Sequence, residues 1–459
     1  MNQHHSKDQW RLTYHIMPEK GWLNDPNGAI QFNGLYHIYY QYVPETPLGG
    51  ATHWGHMTSK DLVHFNQEPI FMSPDQPFDS HGVYSGGGFV KDGLIHFFYT
   101  GNVKLDGDYD YIYSGRKQHV VHVVSDDGFN ILKREVVIDH DTFPEGFTDH
   151  IRDPKIIEHD GVFYMILGAR KADNLGAVIT YRSTDLSEWT YVGNLIEGTK
   201  DEGYMWECPD LFELNGRYVL IFSPQGIREE AYQFNNPHVA GYIIGCMDWD
   251  EVKFIPETEF IELDRGFDFY APHTFEDETG RRIMWSWMGV GDIMPEYTNP
   301  TIARGWQHAL AMPRLLTIKN DRLIQQPLTA YEGLRKEEQP LNINERYTLE
   351  DKAFELLFEL PTEDEFSIDL IEDTTLEYKN GILTLEHGPS GCGRRWRSTK
   401  VDHIETIHIY VDTSSIEVFV NDGEVALASR VYPKDNMPHA HVKASDQAKV
   451  TLWGLKPSI

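Results

Sequence analysis

Trp22-Leu23-Asn24-Asp25-Pro26-Asn27-Gly28-Ala29-Ile30-Gln31-Phe32-Asn33-Gly34-Leu35-Tyr36-His37-Ile38-Tyr39-Tyr40 is the stretch on which the reading of this chain turns. A polar, acidic motif enters an apolar run, an Asn-Gly pair ends it, and a second β-rich run returns. Asn-Gly or Asp-Gly between such runs signals a hairpin, because both turn positions must tolerate positive φ. The pattern recurs from Ser85-Gly86-Gly87 to Asp92-Gly93, from Asp153-Pro154-Lys155 to Asp160-Gly161, from Glu207-Cys208-Pro209-Asp210 to Asn215-Gly216, and from Ala271-Pro272-His273 to Thr279-Gly280. The turn glycines recur roughly every 60 residues, a period compatible with four-stranded propeller blades carrying long loops. Five copies predict an all-β chain beginning with a five-bladed β-propeller. Asp25, Asp153 and Glu207 occupy nearly the same place in three of the repeats. Equivalent positions in a circular repeat converge on its axis.

A weaker repeat accompanies the first. Ser59-Lys60-Asp61-Leu62, Ser125-Asp126-Asp127-Gly128 and Ser183-Thr184-Asp185-Leu186 each follow a β-like run and lead to Phe65, Phe129 or Trp189. The propeller pattern spans 1–327. Residues 328–342, where Leu328, Tyr331 and Leu334 are spaced as on a short amphipathic helix, read as a linker with a charged connector. Strands resume without acidic motifs over 343–459. Ile407-His408-Ile409-Tyr410-Val411 and Ile416-Glu417-Val418-Phe419-Val420 alternate as half-buried antiparallel strands do, predicting a C-terminal β-sandwich.

At 459 residues the chain has room for a propeller plus a second domain. Its 40 Lys and Arg stand against 71 Asp and Glu, a net charge of -31. That field opposes nucleic acid and anionic lipid as partners. Met1 to Trp10 is polar and lacks the apolar core of a secretory signal, and no apolar stretch is long enough to span a bilayer. Cys208, Cys246 and Cys392 are too few and scattered for a disulfide framework or a C-x-x-C site. A cytoplasmic protein with three free thiols is the expectation; a homo-oligomer remains compatible with it.

Three convergent acids could serve chemistry, a cation, or arginine pairing. Arg152 beside Asp153 offers a structural ion pair, while a hard cation would ask for more oxygens than this pattern provides. No metal or cofactor is expected. Trp22, Trp54, Tyr84, Trp206, Tyr270, Trp285 and Trp287 crowd the motifs, and flat rings with polar edges suit sugar faces. Glycoside hydrolysis needs two carboxyl groups, one protonated and one ionised. A third could stabilise an oxocarbenium-like transition state.

Trp22-Leu23-Asn24-Asp25-Pro26-Asn27-Gly28, Arg152-Asp153-Pro154-Lys155 and Glu207-Cys208-Pro209-Asp210 together resemble the three defining motifs of glycoside hydrolase family 32, the invertase and β-fructofuranosidase family. Tyr40-Gln41-Tyr42, Trp54-Gly55-His56, Tyr84-Ser85-Gly86, Phe269-Tyr270-Ala271-Pro272 and Gly305-Trp306 extend the match over essentially the whole chain. The resemblance implies a five-bladed propeller fused to a β-sandwich and a retaining mechanism on a small carbohydrate: sucrose, sucrose 6-phosphate or short fructo-oligosaccharides. It implies Asp25 as nucleophile, Glu207 as acid/base and Asp153 as transition-state stabiliser. Asn24, Gln41, Trp54, Tyr84, Ser85, Arg152, Cys208, Tyr270, Trp285 and Trp287 are the candidates for substrate contact, with Cys208 read as a packing thiol and not a nucleophile. Asp25 should then have a low pKa and Glu207 a raised one. A fructosyltransferase on the same scaffold and a non-catalytic sugar-binding propeller are the alternatives. Two departures bear on the leaving group: Pro47-Leu48-Gly49-Gly50 replaces a stretch where many members carry a tryptophan, and Ser85-Gly86-Gly87 stands where Ser-Gly-Ser is common. For a phosphorylated substrate, Arg116, Lys117 and His119 are the candidate cations.

Overall fold

The structure, a computed structural model, describes residues 8–361, 365–434 and 438–459. The start of the polar N-terminal segment, Met1 to Lys7, lies outside them. The chain is all-β. Among the described residues helix is limited to short 3₁₀ turns, and no helix is long and apolar enough to cross a membrane.

Up to Pro327 the strands form five small antiparallel sheets, each laid down in chain order from an inner strand outward. The inner strands are Gly21–Phe32, Val83–Lys91, Phe147–His159, Glu202–Leu214 and Tyr270–Glu276. Each touches the next, and the fifth touches the first. Between successive sheets lies an apolar core: Tyr39 and Trp54 against Phe97 and Tyr99, Phe98 against Met165, Ile166 against Leu220, Phe212 against Met284, and finally Ile283 and Trp285 against Leu23 and Tyr40. The last of these closes a ring. A short strand from much later in the chain, Trp306–Gln307, joins the first sheet in parallel with Gly21 and Trp22.

Four of the hairpin turns follow their sequence. Asn33, Asp92, Asp160 and Asn215 have φ of 49–54°, and the glycines after them 74–76°, as a two-residue turn with both positions left-handed requires. The fifth differs because Thr279 is β-branched and avoids that region. Its loop widens, and Asp277 holds it by accepting from the backbone of Thr279 and Arg281. The Ser-x-Asp repeat is also one conformation used three times: Ser59, Ser125 and Ser183 accept from the backbone N–H three residues on, and Asp61, Asp127 and Asp185 cap the amides that follow.

After Pro327 comes a 3₁₀ turn, Thr329–Leu334, and then two six-stranded antiparallel sheets. Leu356, Phe358, Ile409 and Val418 of one sheet and Ile368, Leu376, Leu385 and Val442 of the other share one apolar cluster. One sequence expectation is corrected here: the charged stretch after the turn is a strand, Arg335–Leu341, at the edge of the first six-stranded sheet. Its charges mark an exposed edge, where they discourage pairing with other chains.

The segment ahead of the first strand ties the two parts together. Thr13 and Tyr14 donate backbone N–H groups to Asp412, and His15 lies between Asp412 (2.9 Å) and Glu417 (3.0 Å). Burial lowers the His15 pKa, but its two carboxylate partners outweigh it and raise the net value. Arg314 bonds both Asp264 (2.8 Å) and Glu417 (3.1 Å), and Arg394 grips Asp268 through two bonds of 2.7 and 2.8 Å.

Candidate active site

Every inner strand carries a β-bulge at the same level, with two of its residues facing one on the neighbouring strand. The bulged pairs are Asn24-Asp25, Tyr84-Ser85, Asp153-Pro154, Cys208-Pro209 and Ala271-Pro272. A bulge bends the strand and re-aims the side chains beside it. Asp153, Cys208 and Ala271, each followed by proline, have φ of 64°, 49° and 49°. This is strained backbone of the kind that persists only where surrounding structure enforces it. Residues at or beside the five bulges line one pocket of about 290 Å³: Asn24, Asp25, Tyr84, Ser85 and Asp153 from the bulges themselves, and Glu207 and Tyr270 from the position just before theirs.

Asn24, Asp25, Gln41, Tyr84, Ser85, Arg152, Asp153, Glu207, Tyr270 and Trp287 line that pocket. Neutral donors hold Asp25: Ser85 Oγ at 2.5 Å, Asn24 Nδ2 at 3.0 Å, Gln41 Nε2 at 3.4 Å and the Cys208 thiol at 3.8 Å. Trp22 Nε1 fixes Asn24 in turn by donating to its Oδ1 at 2.8 Å. Glu207 has a charged partner. Arg152 donates to its Oε1 from Nη2 at 2.5 Å and from Nε at 3.2 Å, while Tyr270 (2.6 Å) and Gln225 (2.8 Å) donate to Oε2. Asp153 accepts from the backbone N–H of Cys208 at 2.9 Å and lies 3.9 Å from Arg152.

The electrostatics reverse the expected order. Burial pushes the Asp25 pKa up to about 6 against the Ser85 hydrogen bond, with help from the charge of Glu207. Burial also pushes Asp153 up to about 7, against the pull of Arg152. For Glu207 burial acts in the same sense, but the charge of Arg152 and the hydrogen bonds from Tyr270 and Arg152 together outweigh it and hold its pKa below the usual value. The expectation of a low Asp25 and a high Glu207 overlooked Arg152, which reaches across to the fourth sheet's glutamate.

Three candidate contacts are corrected. Trp54 is fully buried between the first and second sheets, its indole N–H donating to Tyr84 O at 3.1 Å. Trp285 is buried between the fifth and first sheets, edge-on to Phe65. Cys208 packs behind the acids, and burial pushes its thiol pKa well up. The pocket also includes residues not selected as sugar contacts: Arg116, His150, Gln225, His238, Gly291 and Asp292. Gln225 had a sequence signal. It stands near the end of the second strand of its sheet, as Gln41 does in the first.

Just beyond the bulges, Lys155, Asp210 and His273 are the first residues after the bulged pair on their strands, and Asn27 and Gly87 the second on theirs. Lys155 Nζ bonds Asp210 at 3.1 Å and Thr274 O at 2.5 Å. A Cβ on Gly87 would stand 2.8 Å from the Lys155 side chain. That close approach gives a reason for the second glycine of Ser85-Gly86-Gly87.

Comparison with known proteins bears on the same residues. The family model described as "Glycosyl hydrolases family 32 N-terminal domain" matches residues 15–327, and that described as "Glycosyl hydrolases family 32 C terminal" matches 350–454. The chain is 39% identical to a sucrose-6-phosphate hydrolase of Bacillus subtilis (strain 168), covering 98% of this chain and 95% of that one. It is 36% identical to a raffinose invertase of Escherichia coli, covering 97% and 95%. The structure of a sucrose-6-phosphate hydrolase from Lactobacillus gasseri superposes with a TM-score of 0.90 at 31% identity, covering 99% and 95%.

Proposed function

This chain belongs to glycosyl hydrolase family 32, and we propose that it is a retaining β-fructofuranosidase that removes terminal β-D-fructofuranosyl units from sucrose, sucrose 6-phosphate or short fructo-oligosaccharides. The five small sheets are then the blades of a propeller, the two larger ones a β-sandwich, with the boundary at the 3₁₀ turn Thr329–Leu334. The observation that carries the reading is the convergence of Asp25, Asp153 and Glu207 on one pocket, each from a bulged inner strand.

In this reading Asp25 attacks the anomeric C2 of the fructosyl unit and forms an ester with it. Glu207 gives its proton to the departing oxygen. The charge of Asp153 stabilises the ring as it becomes cationic. Glu207 then takes a proton from water, which attacks the ester and restores Asp25. In the empty site Glu207 holds a proton least well of the three, because the charge of Arg152 stabilises its carboxylate. Closely coupled carboxyl groups hold their protons as a set. When substrate hydroxyls take over donors of Arg152, the attraction that keeps Glu207 ionised weakens. Binding thereby moves the shared proton to the group that must deliver it.

The test is hydrolysis of sucrose and of sucrose 6-phosphate, measured side by side with wild type and Asp25→Ala. The expected result is turnover of at least one sugar and a near-complete loss in the variant. Wild-type inactivity on both, or an Asp25→Ala protein of nearly wild-type rate, overturns the reading.

A further inference from the structure

Two guanidinium groups line the pocket, and they differ in what they face. Arg152 lies against Glu207 and Asp153, so its charge is neutralised within the protein. Arg116, at the start of the strand Arg116–Ser125, is half-buried. Its Nη1 donates to the neutral Asn102 side chain at 3.0 Å, and its Nε is buried without a hydrogen-bond partner. Among the described residues no carboxylate lies within ion-pairing distance of this guanidinium. In a chain of net charge -31 it is a cation left without an anion. A half-buried charge with a spare donor destabilises the empty protein and becomes favourable once an anion reaches it.

The neighbouring cations are committed elsewhere. Lys117 pairs with Asp141 at 2.9 Å, and His119 lies 3.5 Å from Asp139. His150 is held neutral: its Nε2 bonds Tyr111 O at 2.9 Å, and its Nδ1 faces Arg152 Nη1 at 2.6 Å and accepts from it. His238 faces Asp292 at 2.9 Å.

Position selects which part of a substrate Arg116 meets. Asn24, Asp25, Gln41 and Ser85 form one hydrogen-bonded group, the end where the fructosyl unit is attacked. Glu207, which protonates the leaving sugar, connects through Arg152 to His150, and the backbone N–H of Arg116 donates at 3.2 Å to Asp149, the residue before His150. Arg116 therefore stands beyond the acid/base, on the leaving-group side.

We propose that Arg116 anchors a phosphate subsite that reads a phosphomonoester on the leaving sugar, an inference that rests on the hydrolase reading above. Its planar fork suits phosphate oxygens, and among the described residues no carboxylate competes for its charge.

The experiment measures kcat/KM on sucrose and sucrose 6-phosphate for wild type, Arg116→Gln, Arg116→Met and Lys117→Gln, with thermal unfolding as the check on folding. Wild type should prefer the phosphorylated sugar. The ratio of the two kcat/KM values should fall roughly 10- to 100-fold in Arg116→Gln, as loss of a hydrogen bond to a charged group implies, and should hold in Lys117→Gln. Arg116→Met gives the same readout if the glutamine variant does not fold. A wild type without preference, a ratio unchanged in the Arg116 variants, or an equal fall in Lys117→Gln overturns the subsite. Failure of wild type on both sugars is a separate result that removes the hydrolase reading.

Discussion

Arg152 reaches Glu207 through both Nε and Nη2, whereas Asp25 is held by the neutral donors of Asn24, Gln41, Ser85 and Cys208, so the empty pocket keeps its protons on Asp25 and Asp153. The consequence is measurable. A nucleophilic Asp25 must be ionised, and a group with its pKa pushed up to about 6 gains its proton as pH falls through that value. Asp153, whose charge the same reading requires, is pushed up to about 7, so the acid limb of kcat/KM, which reports the free enzyme, should fall away as pH drops through about 7 to 6; a profile flat down to pH 4.5 would contradict the burial argument. Glu207→Ala should lose ~10²–10⁴-fold on sucrose but much less in the first step on a substrate with a good leaving group. Equal losses on both would remove its role as acid. Asp153→Asn should lower kcat more than it raises KM, because an ionised carboxylate matters most when the ring is cationic. A change in KM alone would instead make Asp153 a ground-state contact.

The elements repeat more than the acids. His37 and His56 meet at 3.0 Å on the second and third strands of the first sheet, and His96 and His122 at 2.9 Å on the same strands of the next. Both pairs stack among aromatic rings. Burial depresses His56 and His122 to about 3 and His37 to about 4. The unfolded chain takes up these protons near pH 6.5 and the folded chain does not, so stability present above pH 6.5 drains as pH falls toward 3–4. At pH 5 the loss is about 2 kcal/mol for the first proton of each pair. The drop in Tm from pH 7.5 to pH 5 should accordingly be smaller in a His56→Phe/His122→Phe protein than in wild type. The hairpins of these sheets were legible because only a few residues accept left-handed φ, and Asn-Gly or Asp-Gly places two together. The bulges were not. Pro154, Pro209 and Pro272 mark three of them only in hindsight, and a bulge changes which face of its strand each later residue presents. Trp54 and Trp285 illustrate the result: motif proximity suggested the pocket, while their strands turn them into the cores between sheets. The Arg152–Glu207 contact crosses two sheets, a reach that neighbouring residues in the chain do not encode.

Across the whole molecule, buried ion pairs carry the junction between the two parts. Arg394 and Asp268 are almost wholly buried, and Arg394 also donates to Asn299 at 2.7 Å. Arg394→Met should destabilise by ~3–5 kcal/mol, because it strands a buried carboxylate, and adding Asp268→Asn should recover part of the loss in chemical unfolding. Independence of the two substitutions would mean the pair is not the junction's electrostatic link. The same junction bears on biosynthesis. Asp25 is among the first site residues to leave the ribosome, yet its sheet gains its last strand only at Trp306–Gln307, and the segment ahead of it is pinned by Asp412 and Glu417. At about 5–20 residues per second, Asp25, the proposed nucleophile, waits tens of seconds for the partners that fix its surroundings. Emergence of Asp412 and Glu417, and not the making of Asp25 itself, therefore sets when the surroundings of Asp25 can be completed.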